Sequence, residues 1–475
     1  MKIQHKTNKK PAIILTYMMT AIAATVIFSC NKYLDVKQDS AEALVSTASD
    51  GQLLLDNYSA MNTGYSSDGE ASADNYYLTD KSYNALSAED RNIYIWLPTA
   101  QRATAAPQWQ NPYKVVYQAN IVIEAMAKLP AATDVNTVKG SALFFRSFAF
   151  YQVAQLYCKP YTATATQDPG IPLRLSSDVN AKSVRGTVAQ TYQQIINDLQ
   201  TAVSLLPQTS SISSRPNKAA AYALLARTYL AMADYTNAGK AAAQALELQG
   251  ALIDYNTLNP ASGTPFIRFN KEVIFQAIMI GTAYSFPNGV FTQNDATMDP
   301  SVAKIDPVLY ASYADNDLRQ RIFFKGNTGT DTLTYSFKGN YDGTPGNAFF
   351  DGLATDEMYL TRAECSARAG DATSAMADLN TLLKTRYATG TFTNITASSA
   401  DDALIKVLTE RRKELIFRGL RWTDLRRLNS DNRFQVTLKR TIGGQVYTLP
   451  PNDLRYVQLL PVDVIANSSL PQNPR

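Results

Sequence analysis

The chain has 475 residues, 45% of them hydrophobic, which is ample for a large buried core. Its 45 Lys and Arg outnumber 41 Asp and Glu, but four lysines and the only histidine, His5, fall in a signal-like first 29 residues. The remainder is neutral, which gives no electrostatic case for nucleic acid, and it lacks the imidazole that Ser-His-Asp catalysis or His-ligated zinc requires.

In chain order, Lys2, Lys6, Lys9 and Lys10 precede an almost uncharged run from Pro11 to Phe28. Ser29 and Cys30 follow, so the pattern predicts a cleaved lipoprotein signal over 1–29 with Cys30 carrying the lipid. Residues 30–50 read as a tether, and 51–475 as a single domain. The stretch 51–110 is rich in Gly, Ser, Asp and Asn, which predicts loops with a few short helices.

Helical spacing becomes strong at Trp109. Tyr113, Val116, Tyr117 and Asn120 keep it until Leu129-Pro130, and Val138–Leu156 and Thr187–Leu206 follow. Residues 220–248 and 357–386 each read as helix, turn, helix. Tyr222, Ala226 and Ala238 recur as Tyr359, Ala363 and Ala375, and small residues at fixed positions let antiparallel helices approach as in tetratricopeptide units. Between them, about 250–352 is loop-rich, with strands expected at 273–278 and 332–337. A last helix is expected over 401–417, capped by Asp401 or Asp402 and stopped at Gly419.

Several groups could carry chemistry. Trp96 and Tyr94, with Asn75, Tyr76 and Tyr77 upstream, could display rings that stack on sugar C–H faces while amides bond the hydroxyls. Tyr284 and Phe286 form a second such patch. Packing competes with both readings, and it is preferred for Trp109 and Trp422. The cluster Glu410–Arg427 reads as an ion-pair network rather than a catalytic site. Asp315, Asp317 and Asp351 lack the spacing of a calcium loop, and neither a Walker loop nor a dinucleotide turn is present. Cys158 and Cys365 read as buried free thiols.

The chain resembles the SusD/RagB family of outer-membrane nutrient-binding lipoproteins. The residues that carry the resemblance are Cys30-Asn31-Lys32-Tyr33-Leu34-Asp35, Trp109 with Tyr113 and Asn120, Arg146–Tyr151, Gly170-Ile171-Pro172-Leu173, Tyr359–Glu364, Glu410–Arg427 and Gln472-Asn473-Pro474. The resemblance implies a mostly α, tetratricopeptide-like helical-hairpin scaffold with irregular loop-rich insertions and a few short strands. It also implies a surface glycan-binding protein, anchored in the outer membrane, that passes oligosaccharides to a SusC-like TonB-dependent transporter. That role needs no catalytic residue, metal, cofactor or nucleic acid. A peptide ligand, a glycoside hydrolase with an unmarked carboxylate pair, or a protein-interaction scaffold are the competing expectations.

Overall fold

The structure is a computed structural model that describes residues 45–105, 108–279, 303–343 and 349–475. The expected signal, Cys30, Tyr284 and Phe286 lie outside the described residues. Helix α1 (Ala48–Leu55) starts where Thr47 and Asp50 form a reciprocal capping box, so regular structure begins inside the expected tether. Thr47–Arg475 form one unit.

The long helices are α2 (Gln110–Met126), α3 (Thr133–Tyr157), α4 (Val188–Leu205), α5 (Lys218–Ala231), α6 (Tyr235–Leu248), α7 (Thr355–Arg368), α8 (Ala372–Lys384), α9 (Ala400–Glu414) and α10 (Arg421–Leu428). Local chemistry sets their starts. Thr187 and Gln190 box α4, and Asn217, Asp234 and Asp371 cap α5, α6 and α8. The cap of α9 is Ser399, whose hydroxyl accepts from the Asp402 N–H, rather than the expected Asp401 or Asp402.

From α2 to α8 each helix packs on the next, and α9 closes the stack against α7 and α8. The fold is a tetratricopeptide-like helical scaffold. The hairpins α5–α6 and α7–α8 are the two repeats legible in the sequence, with Ala226, Ala238, Ala363 and Ala375 all fully buried. More than a hundred residues separate these hairpins along the chain, yet α6 lies directly on α7. A Cβ added to Gly239 would sit 3.0 Å from the Cβ of Cys365, which explains a glycine at that helix crossing. The insertion therefore loops out without breaking the stack.

Short strands organise the remainder: β1 (Thr63–Tyr65), β2 (Tyr76–Tyr77), β3 (Val273–Phe275), β4 (Ile278–Met279), β5 (Lys304–Ile305), β6 (Phe324–Gly326), β7 (Tyr335–Phe337), β8 (Phe349–Phe350), β9 (Leu353–Ala354), β10 (Leu438–Ile442) and β11 (Gln445–Leu449). β4 pairs parallel with β1 and antiparallel with β8, and β3 pairs with β9. β2 pairs with β5, with Tyr76 opposite Ile305 and Tyr77 opposite Lys304. β6–β7 and β10–β11 are hairpins, the latter turning at Gly443 and Gly444, both at positive φ. A second core, dominated by rings that include Tyr255, Phe266, Phe323, Tyr341, Phe350 and Phe417, fills the space beneath these strands. Among the described residues, no helix is long and apolar enough to cross a membrane.

Candidate functional site

The charged C-terminal cluster is a frame. Arg319, fully buried, donates to Asp317 (2.6 Å), Glu410 (2.5 Å) and Glu414 (3.0 Å). Arg386, equally buried, joins Glu414 (2.7 Å) to Glu272 (3.0 Å), and so ties α9 to the insertion. Arg427 pairs with Glu364 at 2.6 Å and with Asp424, which also accepts from Arg411. Burial alone would raise Asp317, Glu364 and Asp424, but the adjacent guanidinium groups hold all three below the usual carboxylate range. Trp422 stacks on Tyr456 in the core.

The residues expected to display themselves to a ligand are placed differently. Trp96, Tyr94, Tyr76 and Asn75 are 4%, 1%, 3% and 1% exposed. The expectation of exposed rings is corrected here for a specific reason: the rings surround an arginine of the chain itself. β10 alternates inward Leu438, Arg440 and Ile442 with outward residues, which drives Arg440 under the loop. Its guanidinium carbon lies 3.7 Å from the Tyr94 ring centroid, 4.5 Å from Trp96 and 5.3 Å from Tyr76. It also donates to the backbone carbonyls of Ala73 (2.6 Å), Ala71 (3.1 Å) and Tyr94. Trp96 Nε1 donates to the Ser72 carbonyl at 3.0 Å, and Trp96 holds a strained φ of +54°. Asn75 donates to Glu70 at 3.2 Å. The β10–β11 hairpin that delivers Arg440 was not foreseen; the alternation 438–442 around Gly443-Gly444 was its signal.

Tyr77 is the member of that group that reaches the surface. It is one of several partly exposed tyrosines, of which Tyr83, Tyr310, Tyr335 and Tyr447 pack on the ring-rich core. On one side Tyr83 packs on Tyr94 (centroids 5.8 Å) and lies close to Tyr447 of β11. On the other, β5 joins β2 to β7, where Tyr335 stacks on Tyr310 with centroids 3.5 Å apart and planes 11° apart. Opposite Tyr77 on β5, the buried Lys304 is neutralised by Asp331 at 2.8 Å. Partly exposed tyrosines on a fixed frame suit non-covalent stacking through their rings and hydrogen bonding through their hydroxyls.

The carboxyls with raised proton affinity are not surface groups. Burial pushes Glu70 and Glu272 up to about 7, against Asn75 and Gly419 at the first and Arg386 at the second. They are 2% and 0% exposed, out of reach of a polymeric substrate. Asp317 is bound to Arg319 and Asp351 accepts from Gln152 (2.6 Å), so they do not meet Asp315 around a cation. Among the described residues, no group of three or more His, Cys, Asp or Glu could hold a metal. Cys158 and Cys365 are free and buried. Trp109 is buried too, edge-on to Tyr157 with centroids 5.1 Å apart.

Comparisons with known proteins agree with this architecture. A SusD-like family model described as "Starch-binding associating with outer membrane" matches residues 32–230, and the SusD family model matches 355–463. The chain is 26% identical over 427 residues to SusD-like protein P2 of Formosa agariphila, covering 77% of this chain and 79% of that one. Its fold matches a SusD superfamily protein from Bacteroides thetaiotaomicron with a TM-score of 0.73 at 24% identity, covering 90% of this chain and all of that one. It also matches a protein from Bacteroides vulgatus described as a putative sugar binding protein, with a TM-score of 0.70 at 21% identity over 91% and 99% of the two chains. The long helical stack, the C-terminal ion-pair frame and both family models lead to one assignment: the chain belongs to the SusD/RagB family.

Proposed function

We propose that this protein is a non-catalytic, glycan-binding lipoprotein of the outer-membrane surface that captures oligosaccharides and passes them to a SusC-like TonB-dependent transporter. The observation that carries the reading is the set of partly exposed tyrosines Tyr447, Tyr83, Tyr335 and Tyr310, packed on the ring-rich core, together with Tyr77 on β2. Tyrosine loses little conformational freedom on binding and offers both a stacking face and a hydroxyl. Family membership, and relatives described as sugar or carbohydrate binding proteins, support the ligand class. The lipid on Cys30 would hold the protein near its transporter, where a high effective concentration lets weak sites deliver ligand.

The test is affinity electrophoresis of residues 31–475 through gels that contain soluble polysaccharides, with Tyr83→Ala and Tyr335→Ala variants alongside. Retardation by one glycan, weakened in either variant while the far-ultraviolet spectrum is unchanged, supports the reading. Retardation by none would turn the assignment towards a peptide ligand.

A further inference from the structure

We propose that an open groove between α2, the segment 172–184 and residues 464–470 is a second saccharide site, suited to a sugar unit that bears a carboxylate. The inference rests on the reading that the protein binds saccharides, but it concerns a different face and a charged ligand. The groove encloses about 400 Å³, within the range of small-ligand pockets. Its wall is aromatic. Trp109, the residue that precedes α2, and Tyr113 and Tyr117 within it are spaced four residues apart, so they lie along one side of the helix. The Trp109 and Tyr113 rings lie 5.0 Å apart at 37°; Trp109 is buried, and Tyr113 and Tyr117 are partly exposed. The wall is also fixed: Tyr113 donates to the Pro172 carbonyl at 2.8 Å.

The opposite rim is polar and accessible. Asn467 and Ser468 are exposed, and both residues line the groove. Together the two sides supply the pairing that sugars need, apolar faces for C–H groups and amide or hydroxyl groups for hydroxyls.

The charge pattern adds the preference. No acidic residue lines the groove, whereas Arg174 does. Its guanidinium donates to the Asp178 carbonyl (2.5 Å), the Ser183 hydroxyl (3.1 Å) and the Ala181 carbonyl. Those three bonds leave two of its five N–H donors for a ligand. Arg319, Arg386, Arg411 and Arg427 each meet a carboxylate, but Arg174 is half-exposed and meets only neutral oxygens among the described residues. A cation beside an aromatic wall, with no anion to neutralise it, favours a carboxylate over a neutral hydroxymethyl group.

The test titrates the protein spanning 31–475 with a panel of uronic-acid disaccharides and their neutral hexose counterparts, by calorimetry. Ser468→Trp fills the groove from an exposed position, Arg174→Gln removes the charge, and Tyr83→Ala serves as a control on the other face. At least one uronate should bind, its affinity falling tenfold or more in Ser468→Trp and in Arg174→Gln but not in Tyr83→Ala. Unchanged uronate binding in Ser468→Trp would overturn the site. Equal affinity for the neutral counterpart, insensitive to Arg174→Gln, would overturn the charge preference. Polysaccharide retardation without binding of any uronate probe would defeat this inference and leave the proposed function standing. Loss of both would defeat both.

Discussion

Replacing Trp96 with alanine separates a packing role from a ligand role. A buried Trp-to-Ala change costs about 3–5 kcal/mol through lost transfer energy and the cavity left behind. Here it also abandons the Ser72 carbonyl, which loses the indole N–H at 3.0 Å, a further cost of about 1–3 kcal/mol. One wall of the Arg440 cage goes as well, though that loss overlaps with the packing loss. The alanine keeps the left-handed backbone strain at position 96, so nothing is recovered there. The expected total is about 4–8 kcal/mol of unfolding free energy. Trp96→Phe, which retains a ring over Arg440 and loses mainly the hydrogen bond, should cost about 1–3 kcal/mol. Urea titrations followed by far-ultraviolet circular dichroism measure both, and native gels with glycan measure binding. The reasoning is refuted if Trp96→Ala is within about 1 kcal/mol of wild type and has nonetheless lost glycan retardation, because Trp96 would then face the ligand.

Three further outcomes test the frame. Arg386→Met leaves Glu272 and Glu414 buried without their shared guanidinium; a loss of about 3–5 kcal/mol is expected in urea titration, and a loss under 1 kcal/mol would show the pair to be dispensable. Glu70 has a folded value of about 7 against an ordinary 4.5, so its contribution to stability is fully present below about pH 4.5 and is lost as pH rises through about 7. Glu70→Gln should therefore gain on wild type by about 2–3 kcal/mol between pH 5 and pH 8; parallel stability curves would contradict the burial argument. Burial pushes the thiols of Cys158 and Cys365 up to about 12, so a disulfide-exchange reagent near pH 8 should label neither in the folded protein and both in denaturant.

Much of the scaffold was legible because helix formation is a local matter. Apolar spacing and alanines at matching places in 220–248 and 357–386 identified the hairpins without any tertiary knowledge. The C-terminal charges were also legible as structure, since Glu and Arg three and four residues apart share a helix face. The site was harder to read. A ring in a loop looks the same in the sequence whether it faces water or a guanidinium, and Arg440 lies more than 340 residues beyond Trp96.

The sequence by itself determined the helices, the pairing of repeats and the family, because each depends on neighbours within a few residues or on a preserved order of motifs. Only the tertiary structure decided that α6 meets α7 across the insertion, that Trp96, Tyr94 and Tyr76 enclose Arg440, and that Tyr77 emerges opposite Lys304. Those outcomes depend on which distant segments bury each other, and burial is a property of the packed chain rather than of any local stretch.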